Sequence, residues 1–151
     1  MKNTYQLTFE LESFLSFVLT LQDKQQEFYL APLLEHTSIK AALASVYVQD
    51  KLYVEHYFPQ ISKDVVLPAH NKRTEKKQIY YLESSCSFKD LVLQLNKSRR
   101  QLISLLNAIP QERMHAFFKI ENVSFTMYDH IERIIWNDGV IMNEIKSIHL
   151  N

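Results

Sequence analysis

Apolar residues recur every three or four positions in four stretches of this chain, and that spacing predicts four amphipathic helices. We place them at residues 8–26, 38–58, 87–109 and 126–148. The last has the most regular stripe, formed by Met127, Ile131, Ile134, Ile141, Ile145 and Ile148. Thr126 and Asp129 are spaced as an N-cap and a first-turn acid, which favours a helix start at that point.

Three of the four stripes are interrupted near mid-length by a charged residue: Asp50, Arg99 and Asp138. If the helices align at their centres, these residues meet in one buried layer. Arg99 can then pair bidentately with one carboxylate and hydrogen-bond the other. Such a layer can fix the register of the helices, or it can form the polar part of a pocket between them. The pattern leaves both interpretations open.

Gly139 follows Asp138 directly and is the only glycine in the chain. Glycine inside a helix costs roughly 1 kcal/mol relative to alanine. Positions that break a local rule in this way are more often functional or strained than accidental. We therefore expect Gly139 to let another helix or a ligand approach closely.

The connections between the predicted helices are less regular. Residues 62–87 contain a polar run from His70 to Gln78 that we interpret as a loop. Its basic cluster is either a solvated loop or short exposed helix, or a phosphate-binding patch; its members are Lys72, Arg73, Lys76 and Lys77. Residues 111–125 are expected to pack in part, as a short extended or helical turn.

Four amphipathic helices with two long connections predict an all-α chain, a four-helix bundle formed by residues 1–151 as a single domain. One glycine and four prolines are too few for the turns of a β-sandwich or barrel. This helical pattern is therefore the fold class that we expect.

Charge and cysteine content narrow the function classes. Lys+Arg and Asp+Glu both number 17, so no net charge favours nucleic acid or an anionic membrane as a partner. A single cysteine fits a reducing compartment. Glutamates near the N-terminus interrupt what would be the apolar core of a signal peptide, and no apolar run reaches the ~20 residues of a membrane span. We expect a cytoplasmic protein.

The second and last helices carry a family resemblance. Residues 37–46 read TSIKAALASV and residues 137–145 read NDGVIMNEI. They resemble the W-S-x-x-E-x-L-A-H-L and H-D-x-H-H-x-x-Q-I forms of the DinB-like superfamily of small four-helix bundles. That resemblance implies the bundle fold. In metal-binding members, it also implies a divalent metal held by one histidine of the second helix and two of the last.

The positions that correspond to those three ligands are Ser45, Asn137 and Ile141, so all three imidazoles are missing. Isoleucine cannot ligate a metal, and serine and asparagine are weak neutral ligands. Asp138 matches the carboxylate of the family motif. His130 shares the face of Asn137 but cannot complete a site alone. We therefore expect a divergent member with no metal and no other cofactor.

The expected function is binding of a small molecule, or an interaction role, in a pocket between the second and last helices. The residues expected there are Ser45, Gln49, Asp50, Arg99, His130, Trp136, Asn137, Asp138 and Ile141. For Trp136 we favour a packing role on the helix flank over a place in the pocket wall.

An alternative is a metal-independent transferase or hydrolase, a relative of thiol-group transferases. Asp138 would work as an acid–base pair with His130 or Asp50. An open cleft reaching Asp138 favours this enzyme, whereas a sealed ion layer favours a structural role. The apolar face of the first helix is wide, because it includes Leu15, Phe17 and Leu19. A homodimer formed through that face is therefore also expected.

Overall fold

The computed structural model describes residues 1–148, which are mostly helical and include a small three-stranded sheet. The helices are α1 (Thr4–Leu19), α2 (Gln26–Tyr29), α3 (Ile39–Leu52), α4 (Lys72–Ser85), α5 (Phe88–Ala108), α6 (Gln111–Met114) and α7 (Met127–Lys146), and the strands are β1 (Val66–Leu67), β2 (Phe118–Ile120) and β3 (Val123–Phe125). The prediction of a mostly helical chain is confirmed. Among the described residues, the small sheet is the one element type that an all-α fold does not include.

Side-chain caps fix where three of the predicted helices begin. Thr126 accepts the backbone N–H of Asp129 at 3.1 Å, and the Asp129 carboxylate accepts that of Thr126 at 3.1 Å. Ser38 accepts the N–H of Ala41 at 2.9 Å at the start of α3. Ser87 caps α5 in the same way. These caps satisfy backbone donors that have no partner inside the helix.

The first helix lies closer to the N-terminus than predicted. Asn3 and Gln6 form a capping box with bonds of 2.8 and 2.9 Å, so α1 begins at Thr4 rather than Thr8. The helix ends at Leu19 instead of continuing to residue 26. The Tyr29 hydroxyl donates toward the Leu21 carbonyl at 2.9 Å, which holds the chain in a turn after the helix.

The second predicted helix changes its winding before residue 58. After Leu52 the chain makes one wider π-helical turn, Tyr53–Tyr57, and then a 3₁₀ turn, Phe58–Gln60. The N–H of Phe58 bonds to the carbonyl of Tyr53, five residues back. Pro59 has no N–H to continue the α-helical ladder, which ends here.

The polar run predicted as a loop is mostly the helix α4. Asn71 accepts the N–H groups of Arg73 and Thr74 and so starts it. No residue of α4 is fully buried, which explains why the segment has no apolar stripe to predict it. The basic cluster therefore lies on an exposed helix.

The segment 111–125 contains both conformations expected of it. The short helix α6 is followed by a hairpin in which β2 pairs antiparallel with β3, while β1 pairs parallel with β2. Glu121 makes the turn of the hairpin with a φ of 54°. Alternating aromatic and β-branched residues favour strands here, and the sheet covers the core near His130.

The four long helices share a core that is divided into two apolar clusters. One cluster includes Leu11, Leu52, Leu102 and Ile134, and the other includes Phe14, Val46, Leu95 and Ile141. Each helix crosses from one cluster to the other, α1 and α7 in one direction and α3 and α5 in the opposite one. The helices α3 and α5 are therefore parallel, and the long connection containing α4 joins them.

The wide apolar face of α1 is largely used within the chain. Leu15 is buried and Phe17 packs against the core, whereas Tyr5 and Phe9 are exposed. A homodimer through this face stays a prediction. No helix in residues 1–148 has the combined length and apolarity needed to cross a membrane.

No other helix approaches Gly139 closely, so that part of the expectation is wrong, whereas close approach of a ligand stays a prediction. A Cβ placed there would meet no heavy atom of the described residues within 4 Å. We predict that Gly139→Ala raises the free energy of unfolding by about 1 kcal/mol, because alanine reduces the backbone entropy lost in the helix. Urea denaturation measures this change, and a destabilised variant would contradict it.

Candidate functional site

An ion layer separates the two apolar clusters and joins three helices. Arg99 of α5 is fully buried, and its Nε donates to Asp50 Oδ2 of α3 at 2.6 Å. Its Nη1 donates to Asp138 Oδ2 of α7 at 2.7 Å. The second η-nitrogen reaches the other oxygens of Asp50 and Asp138 at 3.3 and 3.1 Å. The three stripe-interrupting residues thus meet as their spacing predicts, with both carboxylates held bidentately.

Every N–H of Arg99 has a partner. Four bonds go to the two carboxylates, and Nη1 also donates to the Leu11 carbonyl of α1 at 3.3 Å. The guanidinium lies 5.2 Å from the Phe14 ring centre. A guanidinium has five N–H donors, so Arg99 has none left for a ligand. All four long helices are tied to this one side chain.

Two carboxylates share one guanidinium, so the layer carries one excess negative charge when both are ionised. Burial raises the pKa of Asp138 to about 6, against the opposing effect of Arg99. Burial also raises the pKa of Asp50. Burial alone would lower the pKa of Arg99, but the two carboxylates raise it above its usual range. Arg99 remains charged, and burial makes both carboxyl groups easier to protonate than an exposed aspartate.

A cavity of about 260 Å³ opens beside this layer, between α3 and α7. Its lining consists of Ser45, Val46, Gln49, Asp50, Tyr53, Arg133, Ile134, Trp136, Asn137 and Asp138. Asp50 and Asp138 are only 1% and 3% exposed, so the cavity reaches their edges without exposing the layer. The site is therefore a cleft over a sealed ion layer and combines the two arrangements that the sequence left open.

Six of the nine predicted pocket residues line the cavity: Ser45, Gln49, Asp50, Trp136, Asn137 and Asp138. Trp136 is 70% exposed, so it is part of the wall, and the expected packing role is wrong. Arg99 lies behind the carboxylates. Ile141 lies one helical turn after Asn137 and packs in the second apolar cluster, so it is a core residue. His130 lies deeper in the protein.

Tyr53 and Arg133 are lining residues that the sequence analysis missed. Both follow from helical spacing, since Tyr53 is four residues after Gln49 and Arg133 four residues before Asn137. Tyr53 is only 4% exposed, so a small part of its side chain reaches the cavity. Arg133 is exposed, and its guanidinium lies 5.5 Å from the Phe125 ring centre.

His130 is enclosed by aromatic rings rather than paired with Asp138. Its Nδ1 lies 3.0 Å from the Tyr53 hydroxyl, and its ring centre lies 4.7 Å from that of Phe125. Its Nε2 is buried without a hydrogen-bond partner among the described residues. Burial lowers the pKa of His130 to about 4. His130 is thus a neutral residue that supports Tyr53 from behind the cavity.

The metal site implied by the DinB-like resemblance does not fit the residues present. Ser45 and Asn137 line the cavity, but Ile141 is 2% exposed within the core and offers no donor atom. Within residues 1–148, no three histidine, cysteine or acidic residues are grouped closely enough to hold a metal ion. The donors at this position are instead a hydroxyl, an amide and two carboxylates that Arg99 already holds.

Removing the cation of the layer provides a direct test of its structural role. We predict that Arg99→Met lowers the free energy of unfolding by about 3–5 kcal/mol, because two buried carboxylates lose their partner. The triple variant Asp50→Leu, Arg99→Met, Asp138→Leu recovers most of that loss. Urea denaturation at pH 7.5 measures both. The control is the exposed neighbour Arg100. We expect Arg100→Met to lower the free energy of unfolding by less than about 1 kcal/mol. Equal effects at the two arginines would contradict the prediction.

The buried histidine predicts a specific pH dependence. Between about pH 4 and 6.5 the unfolded chain binds a proton at His130 that the folded chain does not, so stability falls as the pH falls. Asp138 has the opposite effect on stability, because its pKa of about 6 in the folded chain exceeds its ordinary value of 3.8. We predict that His130→Phe gains about 2 kcal/mol of stability relative to the unsubstituted chain between pH 7 and pH 5. Parallel stability curves would contradict this.

The chemistry of the site is defined by its own residues. Comparison of the chain with protein-family models, with curated proteins and with solved structures found no match. The DinB-like resemblance of α3 and α7 therefore stays a prediction, and the ion layer with its cavity is the basis of the functional proposal.

Proposed function

We propose that this protein is a DinB-like four-helix bundle without the family's metal, and that it binds a small molecule in the cavity between α3 and α7. One observation carries this proposal. The cavity ends on the carboxylates of Asp50 and Asp138, where packed apolar side chains would be expected at the centre of a structural core. A polar floor under an aromatic wall is the usual form of a small-molecule site.

The arrangement of the long helices supports the bundle. The helices α1, α3, α5 and α7 are each 14 to 21 residues long, and all of them contribute to both apolar clusters. Helix α1 packs on α5 and α7, and α3 packs on α5 and α7. In bundles, ligand sites are built from side chains on facing helices, as the cavity between α3 and α7 is.

The charges of the site indicate what kind of molecule fits. Arg99 has no free donor, so the floor offers carboxylate lone pairs from a layer with excess negative charge, and the exposed Arg133 is the one cation that lines the cavity among the described residues. Trp136 and Tyr53 contribute aromatic surface, which attracts cations as well as flat apolar groups. We propose a ligand that combines a protonated amine, or another strong hydrogen-bond donor, with an aromatic or apolar body.

The second candidate function is proton transfer by Asp138 on a molecule bound in the same cavity. The cavity reaches this carboxyl group, and burial raises its pKa to about 6, which is close to the value a general base needs. The bidentate contact with Arg99 opposes this role by holding Asp138 ionised and oriented. His130 is bonded to Tyr53, which leaves Asp50 as the partner. Turnover that is lost in Asp138→Asn, with binding retained, would favour the enzyme.

Trp136 is the only tryptophan and lies in the cavity wall, so its fluorescence reports occupancy. We predict that benzylamine shifts the Trp136 emission, and that phenylacetate binds at least about tenfold more weakly because of the negative floor. Ser45→Phe fills the cavity and abolishes the shift without touching the ion layer. Titration followed by fluorescence measures each affinity.

A matched substitution controls for the added ring. Ser104 is exposed on α5, so Ser104→Phe adds the same side chain away from the cavity and leaves binding unchanged. Phenylacetate binding as tightly as benzylamine, or a normal shift in Ser45→Phe, would overturn the proposed site.

A further inference from the structure

A second, separate groove lies on the other side of α3, where α4 and α5 pack beside it. It consists of a cavity of about 380 Å³ and a neighbouring one of about 290 Å³, which share Tyr47, Lys51 and Gln94. The first also has Lys77, Gln78 and Tyr81 in its wall. The groove shares no lining residue with the cavity of the proposed function, and its chemistry is different.

The groove is cationic although the chain as a whole is neutral. Three lysines line it, Lys51 from α3, Lys77 from α4 and Lys97 from α5, against one carboxylate, Glu55. The larger cavity has no acidic residue in its described lining. None of the three lysines forms an ion pair with another residue in the part of the chain that the structure describes. Their charges converge from three helices on one concave surface.

Aromatic and amide side chains alternate with these lysines. Tyr47 is four residues before Lys51, whose Nζ lies 5.8 Å from the centre of the Tyr47 ring. Tyr81 is four residues after Lys77 and is 66% exposed. Its ring has no aromatic or cationic partner among residues 1–148. A large aromatic face therefore stands open beside a lysine.

The size and lining of the groove distinguish it from a simple anion site. Val48 is 7% exposed, and Leu82 lies beside it in the larger cavity, so the floor is apolar. A volume near 380 Å³ is within the range of organic ligand pockets and far exceeds one phosphate ion. The occupant must therefore present a flat apolar body as well as negative charge.

We propose that this groove binds a phosphorylated aromatic small molecule of the nucleoside monophosphate or diphosphate class. The ring stacks on Tyr81 above the apolar floor, and the phosphate lies between Lys77 and Lys51. The amides of Gln78 and Gln94 line the same cavity and can bond the edge of the ring, Gln94 through its oxygen, because its Nε2 donates to Cys86 Sγ at 3.7 Å. The basic cluster of α4 thus contributes one residue, Lys77, and the phosphate-binding alternative for that cluster is taken up in this proposal.

A small ligand is favoured over a nucleic-acid strand by the charge distribution. A strand needs a continuous basic path, and its affinity depends on neutralising many phosphates. Here Glu55 lines the smaller cavity, and the cations of the described lining number three. The positive charge of the groove is therefore enough to neutralise one or two phosphate groups.

Isothermal titration of the full chain with AMP and ADP tests the proposal, with adenosine, inorganic phosphate and a twelve-nucleotide oligoadenylate as comparison ligands. We expect AMP or ADP to bind at least about tenfold more tightly than adenosine or phosphate alone, because each half supplies only part of the contacts.

Adjacent residues on α4 provide matched controls. Lys77→Glu weakens AMP binding by about tenfold or more, whereas Lys76→Glu makes the same charge change outside the groove and weakens it less than about threefold. Tyr81→Ala likewise weakens binding, and Tyr80→Ala does not. All four positions are on an exposed helix without buried residues, and circular dichroism checks that each variant is folded.

Three results would overturn the proposal: no AMP or ADP binding at millimolar concentration, equal losses in Lys77→Glu and Lys76→Glu, or far tighter binding of the oligonucleotide than of AMP. Ser45→Phe separates this site from the cavity between α3 and α7. Unchanged AMP binding in that variant supports the groove, and a loss would place AMP in the other cavity instead.

Discussion

The buried guanidinium of Arg99 is the constraint on which the rest of this structure depends. Its five N–H groups point in fixed directions in one plane, and each requires an acceptor, since an unpaired buried donor is costly. Two carboxylates and one backbone carbonyl supply those acceptors from three other helices. The axial positions of α1, α3, α5 and α7 are therefore set by a planar group with little tolerance for sliding, whereas apolar contacts alone would permit several registers.

The same layer accounts for the cavity beside it. The contact of Asp50 and Asp138 with one guanidinium requires α3 and α7 to turn their polar residues toward α5. Between these two helices that leaves small or polar side chains, Ser45 and Asn137, where bulky apolar ones would close the gap. A structural requirement thus creates a concave surface with a charged floor, and stability and binding share the same residues.

Much of this site follows from periodicity alone. The interruptions at Asp50 and Arg99 can be recognised in the sequence because the stripes around them are regular, and helix centres tend to align in a bundle. The helix α4 could not be predicted in this way, because without buried residues it has no stripe. Trp136 was expected near the pocket, but the packing role favoured for it was wrong for a related reason. Aromatic residues are usually packed, and only the three-dimensional gap beside Ser45 explains its exposure.

The π-helical turn at Tyr53–Tyr57 has a consequence for aligning this chain with any other sequence. A turn that closes over five residues contains one residue more than an α-helical turn, so residues after Leu52 are rotated by roughly 100° from their α-helical positions. Heptad counting or ungapped alignment through this segment would assign Tyr57 and Phe58 to the wrong faces. A relative that lacks the extra residue would match α3 up to Leu52 and then require a single-residue gap. Conservation measured across the turn without that gap would be scored at the wrong positions.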